Sequence, residues 1–498
     1  MRVTKANLWA LGFLMAGALA ATRMIGNETL IIAPWIALFF TQRYVRMTQG
    51  WQSLLLGSAA WALAYYVGWM GVLPLNGWKV TVVPVAVGVV AFIPFIIDRI
   101  VSPKLWAGLR WLVLPLAWVV TEALFGLAGV GTWGALAYSQ YGFDLLLQGH
   151  AVFGLAWSAF VVAAVVSIAN QLIDQRGRMP RSIGVFAGVL ALALVLSGLR
   201  LAQPMAADAS KVRVAGVVVD NLEAFDATWG PLSYGKVLDG EQLRAVTGKA
   251  DALFDTLLAR TDEAAAQGAK LIAWSEGNAL VPATEENRLV ARAQSVARER
   301  GVWIFAAMAV MHEGNPLAEN VIVVIDDQGR IHDRYLKSHP TPGEASIKGD
   351  AKLSYVDTQY GRISWAICYD FDYTELLAQA GRAGVDILIN PSWDSPGMTP
   401  LHSKMATFRS LENGAYMVRV VNDGLNIVSD PRGLSVFEQQ TRRGQDALWT
   451  VDLPTKGTAA IYPWLQSAIG WIAGLALLAL ALAGYRRGRK AVLSAGGE

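Results

Sequence analysis

Three residues whose types suit acyl transfer end three predicted strands. Glu276 closes KLIAWSE, Lys337 closes IHDRYLK, and Cys368, the only cysteine among 498 residues, closes ISWAIC. Together they supply what a thiol acyl-transfer site needs. A carboxylate takes the thiol proton and returns it to a leaving group, an ammonium lowers the thiol pKa and steadies an oxyanion, and the thiolate attacks a carbonyl. The end of a strand suits a nucleophile, because the sheet fixes the backbone while the turn that follows exposes the side chain. Each residue taken singly has an ordinary reading. A lone cysteine behind Trp365 and Ile367 reads equally as an inert core residue, and an acid or a lysine at a strand end as solvated surface. The argument rests on their joint placement.

The elements that must position them begin at Val212, where short β-branched runs alternate with amphipathic stretches. The pattern predicts strands at 212–219, 270–275, 302–310, 319–326, 330–336, 361–367, 385–390, 417–421 and 446–451. Helices are predicted at 249–267, 284–300, 373–383 and 402–414. Leu253, Phe254, Leu257 and Leu258 give the first helix one apolar face, as expected of a helix covering a sheet. Mixed strands and helices predict an α/β sandwich. The sequence contains no internal repeat, low-complexity segment or phosphate-binding glycine loop. His339 and His402 lack the spacing to other ligands that a metal site requires and read as structural or surface residues, so no metal or cofactor is expected.

Composition divides the chain in two. Hydrophobic residues make up 54% and charged residues 16%, a membrane composition, but 211–455 carries the mixed charge of a soluble domain. A net charge of +3, with basic residues beside apolar spans, excludes nucleic acid as a natural partner. One cysteine permits no intrachain disulfide. Seven apolar runs long enough to cross a bilayer precede residue 200, near 6–22, 28–42, 51–72, 78–97, 107–128, 144–173 and 183–200, and an eighth lies near 461–484. The first resembles a signal peptide, but six further spans follow it, and it reads as a retained helix.

Lysine and arginine set the expected orientation. One side holds Arg2, Lys5, Arg43, Arg46, Arg99, Lys104, Arg110, Arg176, Arg178, Arg181, Arg486, Arg487, Arg489 and Lys490, and the short loops of the other hold Arg23 and Lys79. That asymmetry predicts cytoplasmic termini and an external soluble domain. Glu122, within the fifth run, is either functional or a hydrogen-bonded contact between helices. The uncharged loop 129–142, GVGTWGALAYSQYG, suits a segment that dips into the interface, or a plain interfacial loop.

The spaced Glu276, Lys337 and Cys368, with Tyr369 and Asp370 after the cysteine, resemble the carbon–nitrogen hydrolase or nitrilase superfamily. A catalytic domain between seven leading spans and one trailing span is similar to the membrane-bound N-acyltransferase branch of that superfamily. Lys337 and His339 before Pro342, Gly343 and Glu344, the RVVNDG segment at 419–424, and Glu122 with Trp133, Tyr138, Ser139 and Gln140 extend the likeness over nearly the whole chain. The resemblance implies a membrane α-helical bundle of about eight spans plus an external nitrilase-like αββα sandwich. The implied domains are a membrane domain at 1–205, a catalytic domain at 206–457, and a final helix with a basic cytoplasmic tail at 458–498. It implies Glu276 as general base, Lys337 as oxyanion cation and Cys368 as nucleophile. Glu344 would orient Lys337, with Tyr369, Asp370, Trp133 and Tyr138 as supporting or substrate-binding residues. The implied protein is a monomer of the bacterial inner membrane that moves a fatty-acyl chain from a phospholipid, through a Cys368 thioester, to the N-terminal amine of a diacylglyceryl-modified lipoprotein. Ser275, Asp370, the short Lys337–Glu344 interval and 390–397 depart from the family pattern, so the acceptor stays open. Two alternatives stand beside it: a membrane-tethered amidase or nitrilase whose acyl-enzyme is resolved by water, and a non-catalytic lipid-binding or lipoprotein-binding protein.

Overall fold

The computed structural model describes residues 5–75, 77–203, 210–233 and 235–495. They form two units, one of Met1–Gln203 with Trp464–Glu498 and one of Pro204–Pro463. Arg2 and the expected 205/206 boundary lie outside the described residues.

The first unit is helical. Five of its helical segments are long and apolar enough to cross a membrane: Lys79–Lys104, Ala107–Val130, Ala156–Asp174, Arg181–Ala202 and Tyr462–Arg489. The three leading helices, Lys5–Ala21, Ala33–Met47 and Trp51–Gly68, have 17, 15 and 18 residues. At 1.5 Å per residue each is about 22–27 Å long, short of a hydrocarbon core of about 30 Å. The second of them buries Thr41 and Gln42 inside the unit, which lowers its hydropathy. The run expected at 144–173 is broken: short helices at Asp144–Leu147 and His150–Phe153 precede Ala156–Asp174.

The second unit is a two-sheet sandwich. Its strands are β1 (Lys211–Val218), β2 (Leu271–Trp274), β3 (Ala279–Pro282), β4 (Trp303–Met311), β5 (Glu319–Ile325), β6 (Ile331–Leu336), β7 (Tyr355–Thr358), β8 (Gly361–Trp365), β9 (Ile387–Trp393), β10 (Tyr416–Asn422), β11 (Leu425–Ser429), β12 (Ser435–Gln440) and β13 (Ala447–Pro454). One sheet runs β13-β1-β2-β4-β5-β6 with β3 also on β4, and the other runs β12-β11-β10-β9-β8-β7. β1, β2 and β4 are parallel neighbours, as are β8, β9 and β10.

The strand period of two divides the core. Val212, Val214, Leu271, Ala273 and Phe305 join Ile363, Trp365, Ile387, Ile389 and Val418 in one cluster shared by the two sheets. The alternate residues Ala215, Val217, Ile272, Trp274 and Ile304 pack with Leu253, Phe254 and Leu257 of helix Gly240–Ala266 and with Leu289 and Ala293 of helix Glu286–Arg300. Helix Leu401–Asn413 lies against β10 and β11. The order helix, sheet, sheet, helix is the αββα sandwich. Helix Gly240–Ala266 starts well before residue 249, because Asp239 and Gln242 form a capping box in which each side chain accepts from the other's backbone amide.

Candidate active site

Glu276 follows β2, Lys337 follows β6, and Cys368 opens a single 3₁₀ turn, Cys368–Asp372, two residues after β8. The thiol is therefore on a turn and not on the last strand residue. Cys368 has φ of 45°, left-handed backbone for a non-glycine residue, which costs about 1–2 kcal/mol and persists only where surrounding contacts enforce it.

Asp370 is one such contact. Fully buried, it accepts from the amides of Ile367 (3.1 Å) and His339 (2.7 Å) and from the Tyr335 hydroxyl (2.8 Å). Its carboxylate thus ties the cysteine turn to the chain just beyond Lys337. Tyr369 is buried, with its ring edge-on to Tyr373, and His339 stacks on Tyr373 at 3.6 Å between centroids while its Nδ1 lies 3.1 Å from Asp370.

The structure brings Glu276, Lys337 and Glu344 into direct contact. Lys337 Nζ, 1% exposed, donates to Glu276 Oε1 and to Glu344 Oε2, each at 2.7 Å. Glu344 Oε2 also accepts from the Thr341 amide at 2.8 Å, and its Oε1 accepts from Ser346 at 2.8 Å. Asn320 bridges the two acids, its amide donating to Glu276 Oε1 at 2.7 Å and Glu344 Oε1 at 3.1 Å. Trp393 joins this group to the sulfur through its backbone. Its N–H donates to Glu276 Oε2 at 2.8 Å, and its carbonyl accepts from the Cys368 thiol at 3.6 Å.

Burial sets the electrostatics. On its own it would drive the Lys337 ammonium down, but Glu276, Glu344 and Cys368 hold it well above the ordinary lysine value. Burial likewise works to raise Glu344, and Lys337 with the surrounding donors more than reverses it, keeping the carboxylate charged. The Cys368 thiol is pushed up by burial and by Glu276, against the opposing pull of Lys337 and His402. The resting thiol therefore keeps its proton until a base takes it; the carboxylates about it are Glu276, linked through the Trp393 backbone, and Asp394, within 4.8 Å of the sulfur.

His402 is neither exposed nor a lone structural ring. It is 1% exposed, with Nδ1 2.7 Å from Asp394 Oδ1 and Nε2 2.8 Å from Asp372 Oδ2. Arg419 Nη2 lies 2.9 Å from both Asp394 Oδ1 and His402 Nδ1. Cys368, Asp394 and His402 each bring a potential metal-ligand atom within 4.8 Å of the others. Both ring nitrogens of His402 are already engaged, Nδ1 by Asp394 and Arg419 and Nε2 by Asp372, so the residues present do not fit a metal ligand.

Sequence reasoning missed Asn320, Trp393, Asp372 and Asp394. The available signals were polar residues interrupting apolar strands: Asn320 in β5, and Arg419, wholly buried in β10. Trp133 and Tyr138 belong to the helical unit, both buried, with Thr132 Oγ1 and the Tyr138 hydroxyl 2.5 Å apart. From the preceding helix, Val113–Phe125, Glu122 Oε1 accepts from Trp118 Nε1 at 2.9 Å and from the Leu136 amide at 2.8 Å, and so pins the segment that follows.

The model of one family, Carbon-nitrogen hydrolase, matches residues 241–469, the stretch that holds Glu276, Lys337 and Cys368. Among solved structures, an amidase from Nesterenkonia sp. is 20% identical, covering 51% of this chain and 92% of its own, with a TM-score of 0.38. More of the chain aligns with curated apolipoprotein N-acyltransferases. That of Nostoc sp. (strain PCC 7120 / SAG 25.82 / UTEX 2576) is 25% identical over 375 residues, 68% of this chain and 69% of its own. That of Rhizobium meliloti (strain 1021) is 28% identical over 419 residues, 76% and 73% respectively. The chain is thus similar to the apolipoprotein N-acyltransferases over 68–76% of its length, with a carbon–nitrogen hydrolase match at residues 241–469.

Proposed function

We propose that the protein moves a fatty-acyl chain from a membrane phospholipid to the N-terminal amine of a diacylglyceryl-modified lipoprotein, with Glu276 as base, Lys337 as oxyanion cation and Cys368 as nucleophile. The observation that carries the roles is the buried Lys337 ammonium held 2.7 Å from both Glu276 and Glu344, in a group joined to the thiol through Trp393. Glu276 takes the Cys368 proton as sulfur attacks the ester carbonyl, and Lys337 faces the oxyanion. Collapse breaks the acyl C–O bond, and the departing lysophospholipid oxygen receives the proton from Glu276. The lipoprotein amine then attacks the thioester carbon. The C–S bond breaks, the amine proton passes by way of Glu276 to the sulfur, and an amide and free thiol remain.

Five apolar helices support membrane attachment. The reading extends to all eight helices crossing the bilayer, with cytoplasmic termini, an external catalytic domain at 206–457 and Trp133 and Tyr138 binding lipid. An external site meets a donor and an acceptor that are both anchored in the outer leaflet by lateral diffusion alone. The protein acts as a monomer in this reading.

Intact mass spectrometry after incubation with phospholipid alone tests the chemistry. A hydroxylamine-labile fatty-acyl mass on the native protein, absent from Cys368→Ser, is expected. No adduct, with free fatty acid released instead, would transfer the site to a hydrolase resolved by water.

A further inference from the structure

The charges around His402 balance with the ring protonated, when two carboxylates face two cations, although Arg419 Nη2, 2.9 Å from Nδ1, opposes the second positive charge. Asp372 reaches it from the cysteine turn, Asp394 from the end of β9 and Arg419 from β10, and Cys368 is the remaining titratable group against it. Both ring nitrogens face carboxylate oxygens at 2.7 and 2.8 Å. A neutral imidazole has one N–H and would turn a lone pair toward one of those acids, whereas an imidazolium donates to both. With Arg419 present, a neutral ring would also leave two buried carboxylates against one cation.

Arg419 is engaged by other partners. Its Nη1 donates to Asn390 Oδ1 at 2.5 Å, its Nε to Ser403 at 3.2 Å and its Nη2 to Asp394 at 2.9 Å. The ring lies with Asp394 within 4.8 Å of the Cys368 sulfur. The Lys337 group has the opposite balance, since Glu276 and Glu344 together outweigh one ammonium. A thiolate formed beside it adds a further negative charge, which a cation outside that group would offset.

We propose that His402, clamped as an imidazolium between Asp372 and Asp394, is a second cationic positioning residue for Cys368, favouring its thiolate both when the thiol is deprotonated and when sulfur leaves the thioester. The inference rests on Cys368 being the nucleophile. It assigns the thiolate field to two groups from opposite layers, Lys337 just after β6 of the first sheet and His402 on helix Leu401–Asn413 against the second.

Because Cys368 is the only thiol in the chain, its alkylation by iodoacetamide reads its state without background. The full-length protein in phospholipid nanodiscs is alkylated between pH 5 and 10, beside His402→Gln and Asp372→Asn. The thiol pKa is expected to rise by about one unit or more in His402→Gln and by less in Asp372→Asn. Alkylation at pH 7 slows by about 3-fold per unit, since a more basic thiolate is also the better nucleophile. A role in packing alone would leave the pH profile in place, and profiles of both variants superimposable on the native one would overturn the proposal. Asp372→Asn preserves the ring and its Asp394 contact, so it decides the matter alone if His402→Gln does not fold. The alkylation profile stands whether or not phospholipid acylates the native protein, which separates failure of this inference from failure of the acyltransfer reading.

Discussion

Lys337 sits between two carboxylates with almost no solvent access, and removing its charge would leave Glu276 and Glu344 buried and mutually repelling. Lys337→Met is expected to cost about 3 kcal/mol of stability and to lower acyl-enzyme formation by about 1000-fold, read by denaturant unfolding and by the hydroxylamine-labile mass. Glu344→Gln keeps the shape and several of the hydrogen bonds, so a loss of about 10–100-fold with near-native stability is expected. Asp394 titrates in a measurable way. Burial would raise it, but Arg419 and His402 hold it to about 2, below the ordinary 3.8. Its contribution, about 2 kcal/mol, is present above the unfolded value and is lost as pH falls through the folded one. The stability gap between native protein and Asp394→Asn should therefore hold from pH 7 to about 4 and narrow toward pH 2. A gap that widens in acid would reverse that sign.

At the level of elements, helix Leu401–Asn413 must stop where β10 begins, and Gly414 makes that stop. It has φ of +69°, and a Cβ there would lie 1.9 Å from the Thr458 carbonyl oxygen. Gly414→Ala is expected to destabilise the sandwich by more than about 2 kcal/mol, which thermal melting would detect. The same elements explain what the sequence disclosed. A strand buried on both faces, such as β4, reads as a continuous apolar run, and a helix with one apolar face is visible from its period. β12 is SVFEQQ and largely exposed, β7 is four residues of mixed polarity, and neither carries a pattern that separates it from a loop. Glu276, Lys337 and Cys368 were legible because each closes a stretch that reads as a strand. The His402 network was not, since Asp372, Asp394 and Arg419 lie 30, 8 and 17 residues away in sequence. Only the parallel packing of β9 and β10 and the turn after β8 bring them to one ring.

At the scale of the whole molecule, two materials share one chain: apolar helices and a sandwich whose exposed faces carry mixed charge. The proposed external placement of the sandwich is tested by moving the single thiol. Lys352 has a side chain 82% exposed, so Lys352→Cys in a Cys368→Ser background presents one accessible sulfur on the catalytic unit. A membrane-impermeant maleimide added to intact spheroplasts should label it fully, and labelling only after lysis would invert the topology.

The single sulfur also governs how rates depend on two substrates. A chain with one attachment point carries at most one acyl group, and a shared Lys337 faces first the donor's oxyanion and then the acceptor's. Donor and acceptor must then take turns. Double-reciprocal plots against one, at several fixed concentrations of the other, would be parallel lines, and lysophospholipid, the first product released, would compete with the lipoprotein for the acylated enzyme.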